Sequence, residues 1–207
     1  MTGTELLCKG HFKLLFSLLQ YEDDSGVQML ALEVLALVTA NRDCVADIAN
    51  SQVLVFLFFA MQTLPAGQLV ALETLHALVS HNKIVAEVQM VGGLLYLLDL
   101  FCNGTNPVVR ETTATLFGKL LADKLRGPKI KILLSKFLPV IFTDAMRDNP
   151  EASVSMFEGT HENPELIWND EGREKVKSEV RQLRDSHFAK QREDPSVTFT
   201  VRLDSKE

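Results

Sequence analysis

The sequence predicts an all-α chain assembled from a repeated helical unit, and three observations carry that prediction. Ala31-Leu32-Glu33-Val34-Leu35 returns as Ala71-Leu72-Glu73-Thr74-Leu75, an offset of 40 residues. The same offset carries Val45-Ala46-Asp47-Ile48 onto Val85-Ala86-Glu87-Val88, and Leu54-Val55-Phe56-Leu57 onto Leu94-Leu95-Tyr96-Leu97. Within each copy the apolar residues recur at helical spacing, and prolines stand at the expected helix starts (Pro65, Pro107, Pro150), where a missing N–H costs nothing. A helical period of about 40 to 47 residues is that of armadillo or HEAT units. Three helices per unit, the first one short, favour armadillo. Each unit leaves an apolar face that only a neighbouring unit covers, so such a solenoid builds its core by stacking.

Taken in order, residues 11–20 read as a buried helix with Phe12, Leu15, Phe16 and Leu19 inward, the tail half of a first unit. Tyr21 to Gly26 is a polar turn. Val27 to Ala40 is a long helix, with Leu30, Val34, Leu37 and Val38 as one apolar face, and Asp43 is the expected N-cap of a short helix through Ala49. The second unit follows as helices at 44–49, 52–63 and 66–80, and the third as 83–90, 93–102 and 107–123, with Gly92-Gly93 at its corner. A fourth begins at Gly127-Pro128, with helices at 129–135, 136–148 and 150–157. Unit boundaries therefore fall at about 1–43, 44–82, 83–126 and 127–159, and the repeat stops after Gly159. Segment 160–194 holds a motif loop and a charged amphipathic helix with Val176, Val180, Leu183 and Phe188 as its apolar positions. Pro195 to Leu203 alternates apolar and polar like a strand, and the tail 195–207 is expected to be extended, frayed or disordered, or paired with a partner outside this chain.

Composition narrows the function classes. The net charge of the 207 residues is −6, and from Asp170 onward basic and acidic residues balance, so the acidic excess lies in 1–169. Duplex nucleic acid requires a basic footprint that such a chain lacks. The three cysteines (Cys8, Cys44, Cys102) sit widely spaced among apolar residues, as buried, reduced, intracellular thiols do. The apolar run Val53 to Met61 is too short to span a bilayer, and no signal peptide is recognisable at the start. A soluble chain with at most peripheral membrane contact is expected.

The search for chemistry finds little. The five histidines are scattered, and no metal-binding spacing, phosphate-cradling glycine loop or nucleophile elbow occurs. No catalytic residue, metal or cofactor is expected, and the chain reads as a non-enzyme. Two features stand out. One is basic: Lys119, Lys124, Arg126, Lys129, Lys131 and Lys136 cluster in sequence against a single Asp123. They form either a dock for anionic headgroups or acidic peptides, or a solvated rim between units. The other is Asn163-Pro164-Glu165-Leu166-Ile167-Trp168-Asn169, with the only tryptophan of the chain. Trp168 either folds back to cap the open end of the solenoid or serves as an interface anchor.

With Phe157 to Asn169 and the earlier Met146-Arg-Asp-Asn-Pro-Glu151 in view, the chain resembles the very large endosomal J-domain proteins of DnaJ subfamily C, the receptor-mediated-endocytosis family. The segments Cys8 to Leu19 and Asp123 to Ile130 carry the same likeness, and Ile167-Trp168-Asn169 matches a motif that the family carries among armadillo-like repeats. The resemblance implies a role in early-endosome trafficking, with sorting-nexin and retromer coats as partners and the Hsc70 chaperone recruited to remodel coat assemblies. No histidine here precedes a proline, so the His-Pro-Asp loop of a J-domain is absent, and Hsc70 would be engaged only through that missing part. On this reading the chain is a motif-bearing fragment on the cytoplasmic face of early endosomes.

The expected role is thus a non-enzymatic scaffold whose long third helices form a concave partner-binding groove. Gln28, Glu33, Gln68, Glu73, Arg110 and Glu111 are the groove positions named by the sequence. A rigid spacer, or an autoinhibitory segment that folds onto another part of the parent chain, is the alternative.

Overall fold

The computed structural model describes residues 12–158 and 170–193. Every regular element among them is helical. They are α1 (Phe12–Leu19), α2 (Ser25–Thr39), α3 (Arg42–Ala49), α4 (Val53–Thr63), α5 (Gln68–Leu78) and α6 (Asn82–Met90). A single turn of 3-10 helix at Pro65–Gly67 leads into α5, and α7 (Gly93–Asn103), α8 (Pro107–Leu121), α9 (Gly127–Leu134), α10 (Val140–Asp148), α11 (Pro150–Glu158) and α12 (Asp170–Glu193) follow.

The helices begin where side chains satisfy the orphan N–H groups of a first turn. Asp24 accepts from the amides of Gly26 and Val27, and Asn106 from that of Val108 ahead of Pro107. Asn41 caps α3 by accepting from the Asp43 amide. Asp43, the expected cap, instead lies in the first turn, where its charge favours the helix dipole. The helix expected over 136–148 starts only at Val140, because Pro139 holds an extended ψ of 145° ahead of it.

Short and middle helices meet at sharp corners, 94° between α3 and α4 and 79° between α6 and α7. Each corner requires a left-handed residue. Gly92 supplies it at φ 71°, as expected of the glycine pair, and Gln52, forty residues earlier, supplies it at φ 59°. Glycine adopts that geometry freely, whereas glutamine is strained there.

The long helices pack side by side, α2 on α5, α5 on α8 and α8 on α11. The middle helices α1, α4 and α7 form the facing row. The core lies between the two rows, with Leu32, Leu35, Leu57, Phe58, Leu72, Leu75, Phe101 and Phe117 wholly buried. On α2 the inward face is Ala31, Leu32, Leu35 and Val38. Of the expected face only Val38 is inward; Leu30 is 63% exposed, Leu37 75% and Val34 partly so. The helix carries two apolar stripes, and periodicity alone does not say which one faces the neighbours.

α12 packs on α7. Val176 and Val180 are buried and Leu183 rests on the core, as their spacing predicts; Phe188 lies outside the described side chains. Arg173 ties the start of α12 down by donating 2.7 Å to the Cys102 carbonyl. Close backbone approach fixes another contact: a Cβ on Gly118 of α8 would stand 2.7 Å from the Met146 carbonyl oxygen of α10.

Cys102 is a free, buried thiol, and burial pushes its pKa well up. Cys44 is disulfide-bonded, contrary to the expectation of three reduced cysteines; its partner lies outside the described residues. Among those residues no single helix is long and apolar enough to cross a membrane. The strand-like tail at 195–207 and the whole of Asn163, Pro164, Leu166, Ile167, Trp168 and Asn169 also fall outside them.

Candidate functional site

The side-by-side long helices leave a groove along α5, α8 and α11. Glu73, His76, Glu111, Thr112, Thr115 and Glu151 line a cavity of about 330 Å³ there. Glu73, Glu111 and Glu151 are exposed, one from each helix. The hydroxyls of Thr112 and Thr115 donate back to the carbonyls of Val108 and Glu111 at 2.8 and 3.0 Å. The groove therefore presents oxygen acceptors and negative charge. Burial holds the pKa of half-buried His76 below its ordinary value, and the nearby Lys119 ammonium lowers it further. Lys119 itself donates 2.9 Å to the His76 carbonyl, so the cation spans the gap between α5 and α8.

The groove positions named by the sequence divide into two sets. Glu33, Glu73 and Glu111 are exposed, with Glu73 and Glu111 at the cavity. Gln28, Gln68 and Arg110 are not groove residues. Gln28 is only 2% exposed and donates to the Leu19 carbonyl at 2.7 Å and to the Thr63 hydroxyl at 2.8 Å. Gln68 donates 3.0 Å to the Met61 carbonyl. Arg110, 8% exposed, donates through Nε to the Phe101 carbonyl at 2.8 Å, with its guanidinium carbon 5.9 Å from the Phe101 ring centre. All three serve the same purpose: a side chain in the first turns of a long helix satisfies a carbonyl that the end of the preceding middle helix leaves open. Their polarity suggests solvent, but the orphan carbonyls of a buried helix end call for such residues inside.

Half of the basic cluster is engaged in contacts between helices. Beside Lys119, Arg126 reaches the Gln89 side-chain oxygen at 3.4 Å, and Lys131 pairs with Asp144 at 2.5 Å. Lys124 and Lys129 are exposed, as is Lys136, whose carbonyl accepts from Lys175 at 3.3 Å. These residues sit on α8, the following turn, α9 and, for Lys136, just past its end, a distribution suited to a rim between helices.

Two positions escaped the sequence reading. Gln52 was legible in principle, standing forty residues before Gly92 at the same corner. Glu87 is nearly buried, although its sister Asp47 in the preceding copy is exposed; nothing in the local sequence distinguishes the two. Among the described residues no group of three or more His, Cys, Asp or Glu side chains is placed to hold a metal ion.

No family model matches the chain, and no solved structure does. Among curated proteins it is similar to DnaJ homolog subfamily C GRV2 of Arabidopsis thaliana, 32% identical over 149 residues. The aligned stretch takes in 70% of this chain and 6% of that protein. The chain is thus a distant relative of a DnaJ subfamily C protein, spanning a small part of that relative's length.

Proposed function

We propose that this chain is an armadillo-like solenoid segment that acts as a non-enzymatic scaffold in a protein related to DnaJ subfamily C. Its long-helix groove receives endosomal sorting or coat proteins of the sorting-nexin and retromer kind, on the cytoplasmic face of early endosomes. The repeat units run at about 1–43, 44–82, 83–126 and 127–159, with membrane contact at most peripheral and Hsc70 engaged only through a J-domain elsewhere. The observation that carries this reading is the groove itself. Three successive long helices each supply one exposed carboxylate to a common cavity, and repeat proteins bind along such surfaces. The negative charge favours a partner segment rich in lysine or arginine. The distant relation to a DnaJ subfamily C protein supports the trafficking context.

The test is affinity capture from cell lysate, with the chain run beside a variant carrying Glu73→Lys, Glu111→Lys and Glu151→Lys and matched for folding by circular dichroism. The reading expects sorting-nexin or retromer components on the original chain and their loss from the variant. Equal capture by both removes the groove from the account. Capture of no coat component by either one overturns the scaffold.

A further inference from the structure

α9 and the turns on either side of it are apolar on the outer face as well as the inner one. The Gly127 amide donates to the Asp123 carbonyl at 2.8 Å and the Leu138 amide to the Leu134 carbonyl at 2.9 Å, so both turns wind as the helix does. Ile130, Leu134 and Leu138 are buried and form the inner face. On the opposite side Leu125, Lys129, Ile132 and Lys136 follow at steps of four, three and four residues, which makes them one helical stripe. Leu125 is 82% exposed and Ile132 66%, with Lys124, Lys129 and Lys136 exposed beside them. Packing within the chain gives no reason for large apolar side chains to stand in water there.

The carboxylates of this region are already engaged. Asp123 accepts from the amides of Leu125 and Arg126 at 3.0 and 2.7 Å, Asp144 pairs with Lys131, and Asp148 with Arg147. The ammonium groups of Lys124, Lys129 and Lys136 make no hydrogen bond or ion pair among the described residues. Lys175 of α12 brings a further ammonium to this end, 3.3 Å from the Lys136 carbonyl and 5.2 Å from the Phe137 ring centre. On a chain of net charge −6, uncompensated cations thus surround protruding apolar side chains. Their complement is a surface with anions outside and hydrocarbon beneath, where ammonium groups stay at headgroup level and apolar side chains reach the acyl boundary. An acidic peptide would meet the lysines but leave Leu125 and Ile132 in water. We propose that the outer face of α9 docks the chain on an anionic bilayer surface, with Lys124, Lys129 and Lys136 on the headgroups and Leu125 and Ile132 inserted between them. This gives a seat to the peripheral membrane contact of the scaffold reading and needs no partner in the groove.

The test is sedimentation of the intact chain with vesicles of phosphatidylcholine alone, or of phosphatidylcholine with about one-third phosphatidylserine. The expected result is partition onto the anionic vesicles only, falling as salt is raised. Lys124→Gln, Lys129→Gln and Lys136→Gln together should lower that partition about hundredfold. Leu125→Ser with Ile132→Ser, both at exposed positions that the fold tolerates, should lower it about tenfold with every lysine in place. No partition onto anionic vesicles, equal partition onto neutral ones, or partition unchanged in either variant overturns the proposal. Binding of an oligoglutamate peptide by a chain that ignores the vesicles assigns the lysines to acidic protein segments and overturns it as well. The assay contains no protein partner, so its failure leaves the groove reading standing.

Discussion

The Arg110 side chain, in the first turns of α8, donates its Nε–H to the carbonyl of Phe101 on α7 at 2.8 Å. Gln28 makes the corresponding bond to Leu19, and Gln68 one to Met61. Three residues that look like surface groups therefore hold middle and long helices together.

Removing such a bond leaves a buried carbonyl unsatisfied, at a cost of about 1–3 kcal/mol. Gln28→Leu and Arg110→Met should each lower the urea unfolding free energy by about that amount. The exposed neighbour Glu111→Ala should change it by no more than about 0.5 kcal/mol. Equal small effects at all three positions would show that the carbonyls find other partners.

The two corners make opposite predictions. Gln52 pays for a left-handed conformation that costs an L-residue about 1–2 kcal/mol, so Gln52→Gly should raise stability by roughly 1 kcal/mol. Gly92→Ala should destabilise, because it imposes the same strain and its Cβ would lie 2.4 Å from Leu183. Thermal unfolding of the two variants, run together, checks both signs.

Gly118 marks a different constraint. Its φ is ordinary, yet a side chain there meets the backbone of α10 rather than a movable side chain. Gly118→Ala should cost about 1–3 kcal/mol through overpacking, despite the better helix propensity of alanine. A stabilised variant in chemical denaturation would show that α8 and α10 are free to separate.

Apart from the Arg173 and Lys175 hydrogen bonds, α12 is held by one short apolar stripe, with Val176 and Val180 buried. Val176→Asp places an unpaired charge there and should release α12 by local unfolding. Amide exchange should then accelerate over 170–193 and along α7 while α2 and α5 keep their protection. Uniform loss of protection would mean that α12 is integral to the whole fold.

His76 sets a pH dependence of definite sign. Burial holds its folded pKa below the ordinary histidine value of about 6.5, so the unfolded chain binds the proton more readily. Its contribution is fully present above about pH 6.5 and is lost as the pH falls through the folded value. Glu87 and Asp99, raised chiefly by burial, act in the opposite sense in the carboxylate range: their contribution weakens as the pH rises through their folded values. Because His76 is partly exposed the effect is small. His76→Gln should flatten the loss of stability just below pH 6.5, measured as urea midpoints.

Most helices and the Gly92 corner were legible because they follow from periodicity, proline and glycine, all of which are local properties. The inward face of α2 was not, since Leu30, Val34 and Leu37 offer as good a stripe as Leu32, Leu35 and Val38. Only the direction of the neighbouring helices decides between them. Gln28 and Arg110 were misassigned for the same reason: the carbonyls they serve lie nine residues away, on another helix. The groove glutamates were legible as exposed positions. Their convergence with Glu151 on one cavity depends on how far successive long helices rotate, which sequence spacing does not state.

The central claim is that partners lie along α5, α8 and α11. Hydrogen–deuterium exchange, measured with and without a captured sorting-nexin or retromer component, tests it most directly. The account predicts slowed exchange over 68–78, 107–121 and 150–158, lost when Glu73, Glu111 and Glu151 are reversed in charge. Protection confined to other helices, or none at all in a complex that still forms, would contradict it.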